Sequence, residues 1–432
     1  MEITELFTGF AVVIDDEVEN EQANINDLIR QIKDKKIPCF ICEELPDMEM
    51  IHHFEGVSFL ILDWKLQTKA LNDAEFDGVR TPGLLSEENI NKNIVFLKKL
   101  KETVFVPVFI FTNETKESVI DKLKENDLYQ DKKPNFIFVK NKDELTGGTK
   151  LFNQVEAWVK TVPSIYVLKE WEHGYLSAKN HLFWDFYERS PLWPKVLWDC
   201  YKTDGAKNIS RELGEIITRN LYTRMAPFTF EETILQTGAT SEPSEMRSVL
   251  EGERFIKSNQ LNKDEIFTGD IFQGDNPGEY WLNIRAQCDL VRDSNPKLYC
   301  LKGRIVDESK INRDGGIPFQ DGEFREKKNH AVISCIDDGK IIEFLFRDLN
   351  ISKWNDLKNK RIGRLLPPYI TRIQQQYTLY FQRQGLPRTP EEVFSNLGVR
   401  VEEKDKPKVE LGKKSSLLDS VKGMFNSTPK KL

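Results

Sequence analysis

The sequence lacks several features that would assign it to a specialised class of protein. It has six cysteines in 432 residues, too few for the disulfide framework of a small secreted domain. No apolar run approaches the ~18 residues that a membrane-spanning helix requires. The first five residues lack the basic and then apolar order of a signal peptide. We therefore expect a protein of the reducing cytoplasm that has no membrane partner.

An excess of positive charge is also missing. The chain has 62 basic and 69 acidic residues, for a net charge of -7, and this balance lacks the footprint of a nucleic-acid-binding protein. The charge is distributed unevenly, because residues 1–160 have a net charge of about -10 and residues 361–432 one of about +7. We expect the acidic beginning and the basic end to serve different purposes, neither of them the binding of nucleic acid.

Two residue patterns alternate over the first 160 residues. Short runs rich in Val, Ile and Phe, apolar on both faces, are typical of parallel strands buried between helices. These runs cover residues 10–14, 37–41, 57–62, 106–111 and 136–139. Between them, apolar residues recur at helical spacing, as in Ile25, Leu28 and Ile32. The alternation predicts an α/β domain at residues 1–162 with a five-stranded, doubly wound parallel sheet.

The rest of the chain divides by pattern into four segments. Residues 163–258 have helical spacing, and residues 259–366 have short strands separated by Asp, Gly, Asn and Pro clusters. These patterns predict a helical linker or output segment and a small antiparallel sheet or barrel, together an α+β region. A proline pair opens residues 367–400, whose amphipathic helix we expect to pack on the β domain. The composition of residues 401–432, rich in Lys, Glu, Asp, Ser and Pro, predicts a disordered basic tail.

Polar side chains stand where the strands of the first domain end. Asp15 and Asp16 follow the first strand, and Asp63 ends the third. Thr112 and Lys140 end the fourth and fifth strands. Ligands of open α/β sheets bind outside the carboxyl ends of the strands, so we expect these five residues to converge at one edge.

That set of residue types has a chemical logic. Carboxylates that repel one another at one point are neutralised by a hard divalent cation such as Mg²⁺. An aspartate beside such a cation can act as a nucleophile and form an aspartyl-phosphate. A phosphoryl group then requires cationic and hydroxyl partners, which Lys140 and Thr112 supply.

The five residues, in this order along the strands, resemble the receiver domain of bacterial two-component response regulators. The resemblance covers residues 8–161 and implies a flavodoxin-like fold. It implies that Asp63 is the phosphoacceptor, that Thr112 is the switch hydroxyl and that Lys140 is the lysine of the site. It further implies that Mg²⁺ is bound by Asp63, directly by Asp16, and mainly through water by Asp15.

Several positions depart from the receiver pattern. Asn141 replaces the usual proline after the lysine, and Lys142 is a second cation at the same strand end. Asn113 is bulkier than the residue that usually follows the switch hydroxyl. Residues 67–85 make the connection after Asp63 about twenty residues longer than the family needs. We interpret this insertion as a lid or a docking loop, with a plain surface insertion as the alternative.

The resemblance implies a signalling protein rather than an enzyme with an external substrate. Asp63 would receive its phosphoryl group from a histidine kinase or a phosphotransfer protein, and self-directed transfer and hydrolysis would be its only reactions. No helix-turn-helix is visible in the sequence, so another protein is the expected output partner, with a homodimer left open. The atypical receiver, joined to an unfamiliar output region, resembles the receivers of bacterial anti-phage two-component systems, which implies regulation or phosphate buffering in antiviral defence.

Two other interpretations stay open. The first keeps the receiver fold as a scaffold that binds partners without phosphorylation, and Asn113, Asn141 and the insertion favour it. The second makes the C-terminal region an effector enzyme, such as a nuclease, around Arg285 and Cys288, but no His stands near them in sequence. Cys39 and Cys42 have redox-like spacing, and we expect both to be core thiols.

Overall fold

The computed structural model describes most of the chain, apart from its ends and several loops. The described residues are 6–7, 9–20, 23–66, 82–131, 133–148, 150–225, 227–236, 241–307, 329–384, 387, 389–390 and 393, without the side chains of residues 82–86. The predicted basic tail and most of the predicted lid, residues 67–81, lie outside them. The chain divides into two units, residues 1–378 and 379–432. All contacts discussed below lie within the first unit.

The first domain contains five parallel strands in the order β2-β1-β3-β4-β5. Their bounds are β1 Phe10–Ile14, β2 Cys39–Cys42, β3 Val57–Asp63, β4 Val108–Thr112 and β5 Ile137–Asn141. Every residue of β3 and β4 is buried, which explains why both read as unbroken apolar runs rather than as alternating ones. The chain thus forms the all-parallel sheet that the sequence predicts.

Helices cover both faces of this sheet. The connecting helices are α1 Asn24–Asp34, α2 Pro82–Thr103, α3 Lys116–Glu125 and α4 Lys150–Val159, while Met48–Phe54 forms a 3₁₀ helix between β2 and β3. Successive strand residues point to opposite faces. Ala11 and Val13 therefore pack in one core with α1 and α4, and Val12 and Ile14 in another with α2 and α3. The doubly wound α/β prediction is confirmed.

The helical segment begins inside the core of the first domain. Its helices are α5 Pro163–Arg189, α6 Trp193–Thr203, α7 Ile209–Arg224, α8 Glu232–Leu235 and α9 Pro243–Arg254. Ile165 and Tyr166, in the first turn of α5, are buried with the core residues of α1 and α4. Ile234 of α8 returns to the same core, and the Glu231 amide donates to the Tyr166 hydroxyl at 3.1 Å. The start of α5 is therefore fixed to the α/β domain.

The C-terminal region forms a curled, antiparallel seven-stranded sheet in the order β10-β11-β9-β8-β7-β12-β6. The strands are β6 Phe255–Lys257, β7 Asp270–Gln273, β8 Glu279–Asn283, β9 Lys297–Ile305, β10 His330–Ile336, β11 Lys340–Lys353 and β12 Arg361–Leu365, and the short helices are α10 Gln287–Leu290 and α11 Trp354–Leu357. The predicted α+β layout is confirmed. The sheet begins at Phe255, in the short strand β6, rather than after residue 258.

The last helix, α12 Tyr369–Gln382, follows a cis peptide bond between Pro367 and Pro368. Ile370 and Ile373 are buried. The Gln374 amide donates to the Ile284 carbonyl at 2.9 Å, beside the end of β8. Residues 369–378 of the predicted C-terminal helix thus pack on the β domain.

One glycine of this sheet has little room for a side chain. Gly269 has φ +95°, and a Cβ there would lie 2.3 Å from the Leu365 carbonyl oxygen. We expect Gly269→Ala to lower the free energy of unfolding by at least about 2–4 kcal/mol, because it combines backbone strain with a clash against backbone. Chemical denaturation measures this difference.

Gly205→Ala is the matched control. Gly205 also has a positive φ, +78°, but a Cβ at this position would meet no neighbouring atom within 4 Å, so we expect only the strain of about 1 kcal/mol. Equal losses in the two variants would contradict the packing described for Gly269.

Candidate metal and phosphoryl site

Three aspartates meet at the carboxyl edge of the parallel sheet. Asp15 and Asp16 follow β1, and Asp63 is the last residue of the neighbouring strand β3. One oxygen from each carboxylate lies within 4.8 Å of the others. Asp15 and Asp63 are 1% and 6% exposed, while Asp16 is partly buried. The convergence predicted for these three residues is therefore present, and the cluster could hold a metal ion.

Among the described residues, the cation in contact with the cluster is Lys142 and not the predicted Lys140. The Lys142 ammonium lies 2.8 Å from Asp15 Oδ2, 3.1 Å from Asp63 Oδ2 and 3.6 Å from Glu17 Oε2. The Lys142 side chain is 1% exposed. Lys140 instead pairs with Glu144 at 2.9 Å, in the partly exposed space beside β5. The place that sequence reasoning gave to Lys140 thus belongs to Lys142.

Asn141 explains why the chain selects Lys142. Strand β5 ends at Asn141, and its side-chain oxygen accepts the Asp143 amide at 3.1 Å. This contact caps the 3₁₀ turn Lys142–Glu144. Lys142 is the first residue of this turn, and its ammonium reaches the cluster. The side chains of Asn141 and Asp143 favour turns, and they are the local sequence signal that could have shown where β5 ends.

Thr112 lies at the end of β4, next to β3. It is fully buried, and its hydroxyl oxygen accepts the Glu114 amide at 3.0 Å. Glu114 in turn forms a 2.7 Å ion pair with Lys65, two residues after Asp63. The ends of β3 and β4 are therefore linked through side chains.

Burial sets the charge state of the site. It raises the pKa of Asp63 from 3.8 to about 6, an effect that Lys142 opposes and Asp15 reinforces. Burial alone would lower the pKa of Lys142, but the Asp63 and Asp15 carboxylates outweigh it and hold that pKa above its usual value. Lys142 is consequently cationic at neutral pH, and its ammonium lies beside the carboxylates of Asp15, Asp63 and Glu17.

The donor set suits a hard divalent cation. All three aspartates offer oxygen ligands, which is the ligand type that Mg²⁺ and Ca²⁺ prefer. Three carboxylates and one ammonium leave a net charge of about -2 at the site when all are ionised, and one divalent ion would neutralise it. Among the described residues, this cluster is the one group of three or more His, Cys, Asp or Glu side chains with ligand-like spacing.

Sequence reasoning missed Asn93 on α2. This side chain is fully buried, and its Nδ2 donates to the Asp63 carbonyl at 3.2 Å and to the Trp64 carbonyl at 2.8 Å. The two bonds hold the backbone directly behind the cluster. The available indication was a polar residue within the apolar stripe of α2 that contains Ile90, Ile94 and Leu97.

We expect Asn93→Ala to lower the free energy of unfolding by about 2–3 kcal/mol, because two buried carbonyls lose their donor. Asn91→Ala, at an exposed position of the same helix, should change it by less than about 0.5 kcal/mol. Urea denaturation of both variants measures the difference. A loss no larger for Asn93 than for Asn91 would show that these bonds do not hold the loop.

The cysteines and the arginine that the sequence analysis singled out lie outside the acidic cluster. Cys39 and Cys42 are free and half-buried on β2, and burial raises the pKa of both thiols. Arg285 donates to the Lys297 carbonyl and lies over the Tyr299 ring. Cys288 is exposed on the four-residue helix α10.

No described helix has the length and apolar character needed to cross a bilayer.

The five-stranded parallel sheet with its acidic cluster is consistent with a receiver-like fold. A scan of known protein families finds none whose model matches this chain. A search of curated proteins likewise finds no match.

Proposed function

We propose that the α/β domain is a receiver-type module and that Asp63 accepts a phosphoryl group in a Mg²⁺-dependent reaction. One observation carries this proposal: Asp15, Asp16 and Asp63 meet Lys142 at the carboxyl edge of a five-stranded parallel sheet. Carboxylates, a buried ammonium and a strand-end hydroxyl are the groups that phosphoryl transfer to an aspartate requires.

The side chains of the site would have different roles in this reaction. Asp15, Asp16 and Asp63 would hold Mg²⁺, which supplies charge neutralisation for the phosphoryl oxygens when it is bound. Lys142 would exchange its contact with the Asp63 carboxylate for one with a phosphoryl oxygen, since its ammonium already lies 3.1 Å from Asp63 Oδ2. The Thr112 hydroxyl, at the end of the adjacent strand, would donate to a second oxygen.

The transfer moves a phosphoryl group from a histidine of the donor to Asp63. A carboxylate oxygen of Asp63 forms a bond to phosphorus, and the phosphorus–nitrogen bond of a phosphohistidine on the donor breaks. The bond electrons return to the imidazole nitrogen of the donor, which takes a proton from solvent. Water later attacks the acyl phosphate and restores the carboxylate with release of phosphate.

The partners follow from this chemistry. A histidine kinase or a phosphotransfer protein would be the donor, and another protein would receive the output. Helix α5 is the route that the fold offers, because its first turn is buried in the core of the α/β domain while its far end lies in the helical segment. We propose signal relay or phosphate buffering by a cytoplasmic bacterial protein, and antiviral defence as the setting in which to test it.

The experiment is incubation of the full chain with a small-molecule phosphodonor and Mg²⁺. We expect stable incorporation of phosphate into the wild type and none into Asp63→Asn. Asp143→Asn is the matched control, because Asp143 lies near the site but outside the cluster and binds Asn24; it should incorporate phosphate like the wild type. Incorporation that persists in Asp63→Asn would remove Asp63 from the proposal.

A second candidate function is a scaffold that works without phosphorylation. The observation that favours it is that both Asp63 oxygens already have partners, the Lys65 amide at 3.3 Å and Lys142 at 3.1 Å. A wild type that binds Mg²⁺ and partners but takes no phosphate from any donor or cognate kinase would support the scaffold instead.

A further inference from the structure

The helical segment has a large apolar surface where α5 ends and α6 begins. Phe183, Trp184 and Tyr187 on α5 are 43%, 63% and 54% exposed. Leu192, just before α6, is 64% exposed and Val196 on α6 is 54% exposed. Together with the partly exposed Trp193 they form what we call the aromatic corner. No part of the proposed phosphoryl site uses it.

Helical spacing and ring contacts together make the aromatic corner one surface, because Tyr187 lies one turn after both Phe183 and Trp184 on α5. The centroid of Trp193 lies 6.0 Å from that of Phe183, and Trp184 lies 5.8 Å from Tyr187. The helices around it have no interior of their own, since none of the residues of α6 and α7 is fully buried. Such a surface on described helices indicates an apolar face that another molecule covers.

The size of the corner suits a symmetric contact. Aromatic side chains bury about 150–250 Å² each when fully covered, so five large side chains near half exposure present on the order of 600 Å². This reaches the upper end for the largest apolar patch of a monomer. A stable dimer buries about 800 Å² on each partner, so the corner would supply most of one face of such a contact and its polar rim the remainder.

The rim carries balanced charge. Three acidic and two basic residues lie between positions 180 and 199, and Arg224 of α7 pairs with one of them, Asp185; the five are Asp185, Glu188, Arg189, Lys195 and Asp199. Several are paired with each other, as in Arg189 with Asp185 at 3.0 Å and Lys195 with Asp199 at 2.5 Å. A two-fold contact places the same surface against itself, and a rim without net charge permits this without repulsion.

We propose that the aromatic corner is the interface of a homodimer, with a second copy of this chain as its occupant. The basic tail, residues 401–432, is the alternative within the chain, but it has one aromatic residue, Phe425, against the four rings of the corner. An anionic membrane would favour an excess of Lys and Arg around the apolar face, which the rim lacks.

Analytical ultracentrifugation of the full chain over a wide concentration range tests the proposal. We expect a monomer–dimer equilibrium whose dissociation constant rises by about 30-fold or more in Trp184→Glu. Val249→Glu, at a 72% exposed apolar position of α9, is the matched control and should dimerise like the wild type. Hydrogen exchange should show protection of residues 183–196 that increases with protein concentration.

Three results would overturn the proposal. The first is a wild type that stays monomeric at every concentration. The second is a dimer that Trp184→Glu leaves intact, provided that circular dichroism shows the variant folded. The third is self-association that appears only after residues 401–432 are deleted, because the tail would then be the occupant. Dimerisation is independent of Asp63, so Asp63→Asn should dimerise like the wild type whatever the fate of the phosphoryl proposal.

Discussion

Replacement of Lys142 by methionine should lower the free energy of unfolding by about 3–5 kcal/mol at pH 7.5 without divalent metal. The side chain is 1% exposed and is the cation in contact with both Asp15 and Asp63. Removal of one partner from a buried ion pair leaves uncompensated charge in a medium that solvates it poorly. Methionine keeps much of the apolar stem, so the loss reports the charge.

Lys140→Met is the matched control, because it removes the same group two residues earlier. Lys140 pairs with Glu144, whose side chain is 51% exposed, and such pairs contribute about 0–1 kcal/mol. Chemical denaturation of the two variants gives the comparison directly. A larger loss for Lys140→Met than for Lys142→Met would mean that the predicted assignment of Lys140, and not the observed contact of Lys142, describes the site.

Mg²⁺ should restore part of the stability lost in Lys142→Met. A divalent ion that binds the folded cluster and not the unfolded chain stabilises the fold by mass action. Its charge replaces that of the missing ammonium. If millimolar Mg²⁺ left the variant as unstable as before, the three aspartates would not form a metal site.

The affinity for Mg²⁺ should depend steeply on pH. Asp63 has a pKa of about 6, raised by burial, and a carboxylate must be ionised to bind the metal. We therefore expect affinity to be constant well above pH 6 and to fall about 10-fold for each pH unit below it. Isothermal titration calorimetry between pH 5 and pH 8 measures this dependence.

The same pKa fixes the sign of the effect on stability. Because the folded-state pKa lies above the usual 3.8, the contribution of Asp63 to stability is complete below pH 4 and is lost as pH rises through 6. Mg²⁺ should thus stabilise the protein more at pH 7.5 than at pH 5.

Asp16→Asn should weaken the binding of Mg²⁺ by 10-fold or more, whereas Asp143→Asn should not. An affinity that is independent of pH would exclude Asp63 as a ligand.

The sequence predicts the sheet well because burial on both faces leaves a plain pattern. β1 has the predicted bounds, and the other four strands of the parallel sheet begin and end within two residues of theirs. Three site aspartates were also predictable, since strand order alone brings the ends of β1 and β3 together. Strand β6 has three residues, and β12 has two arginines and a glycine among its five, so neither forms a plain apolar run.

The cation was harder to predict, because it depends on where one strand stops. Lys140 and Lys142 stand two residues apart, and a single capping contact from Asn141 decides between them. Asn93 was missed for a related reason: its partners are backbone carbonyls about thirty residues earlier, which no local pattern reveals. The exposure of Trp184 likewise follows from tertiary packing and not from helical spacing.

The most direct measurement of the central claim is the position of the phosphoryl group on the chain. After incubation of the wild type with a phosphodonor and Mg²⁺, peptides from rapid acidic proteolysis would be examined by mass spectrometry. We expect one added phosphoryl group on the peptide that contains Asp63. We expect no labelling of that peptide when Mg²⁺ is left out of the incubation. A phosphoryl group on any other residue, or equal labelling without Mg²⁺, would contradict the claim.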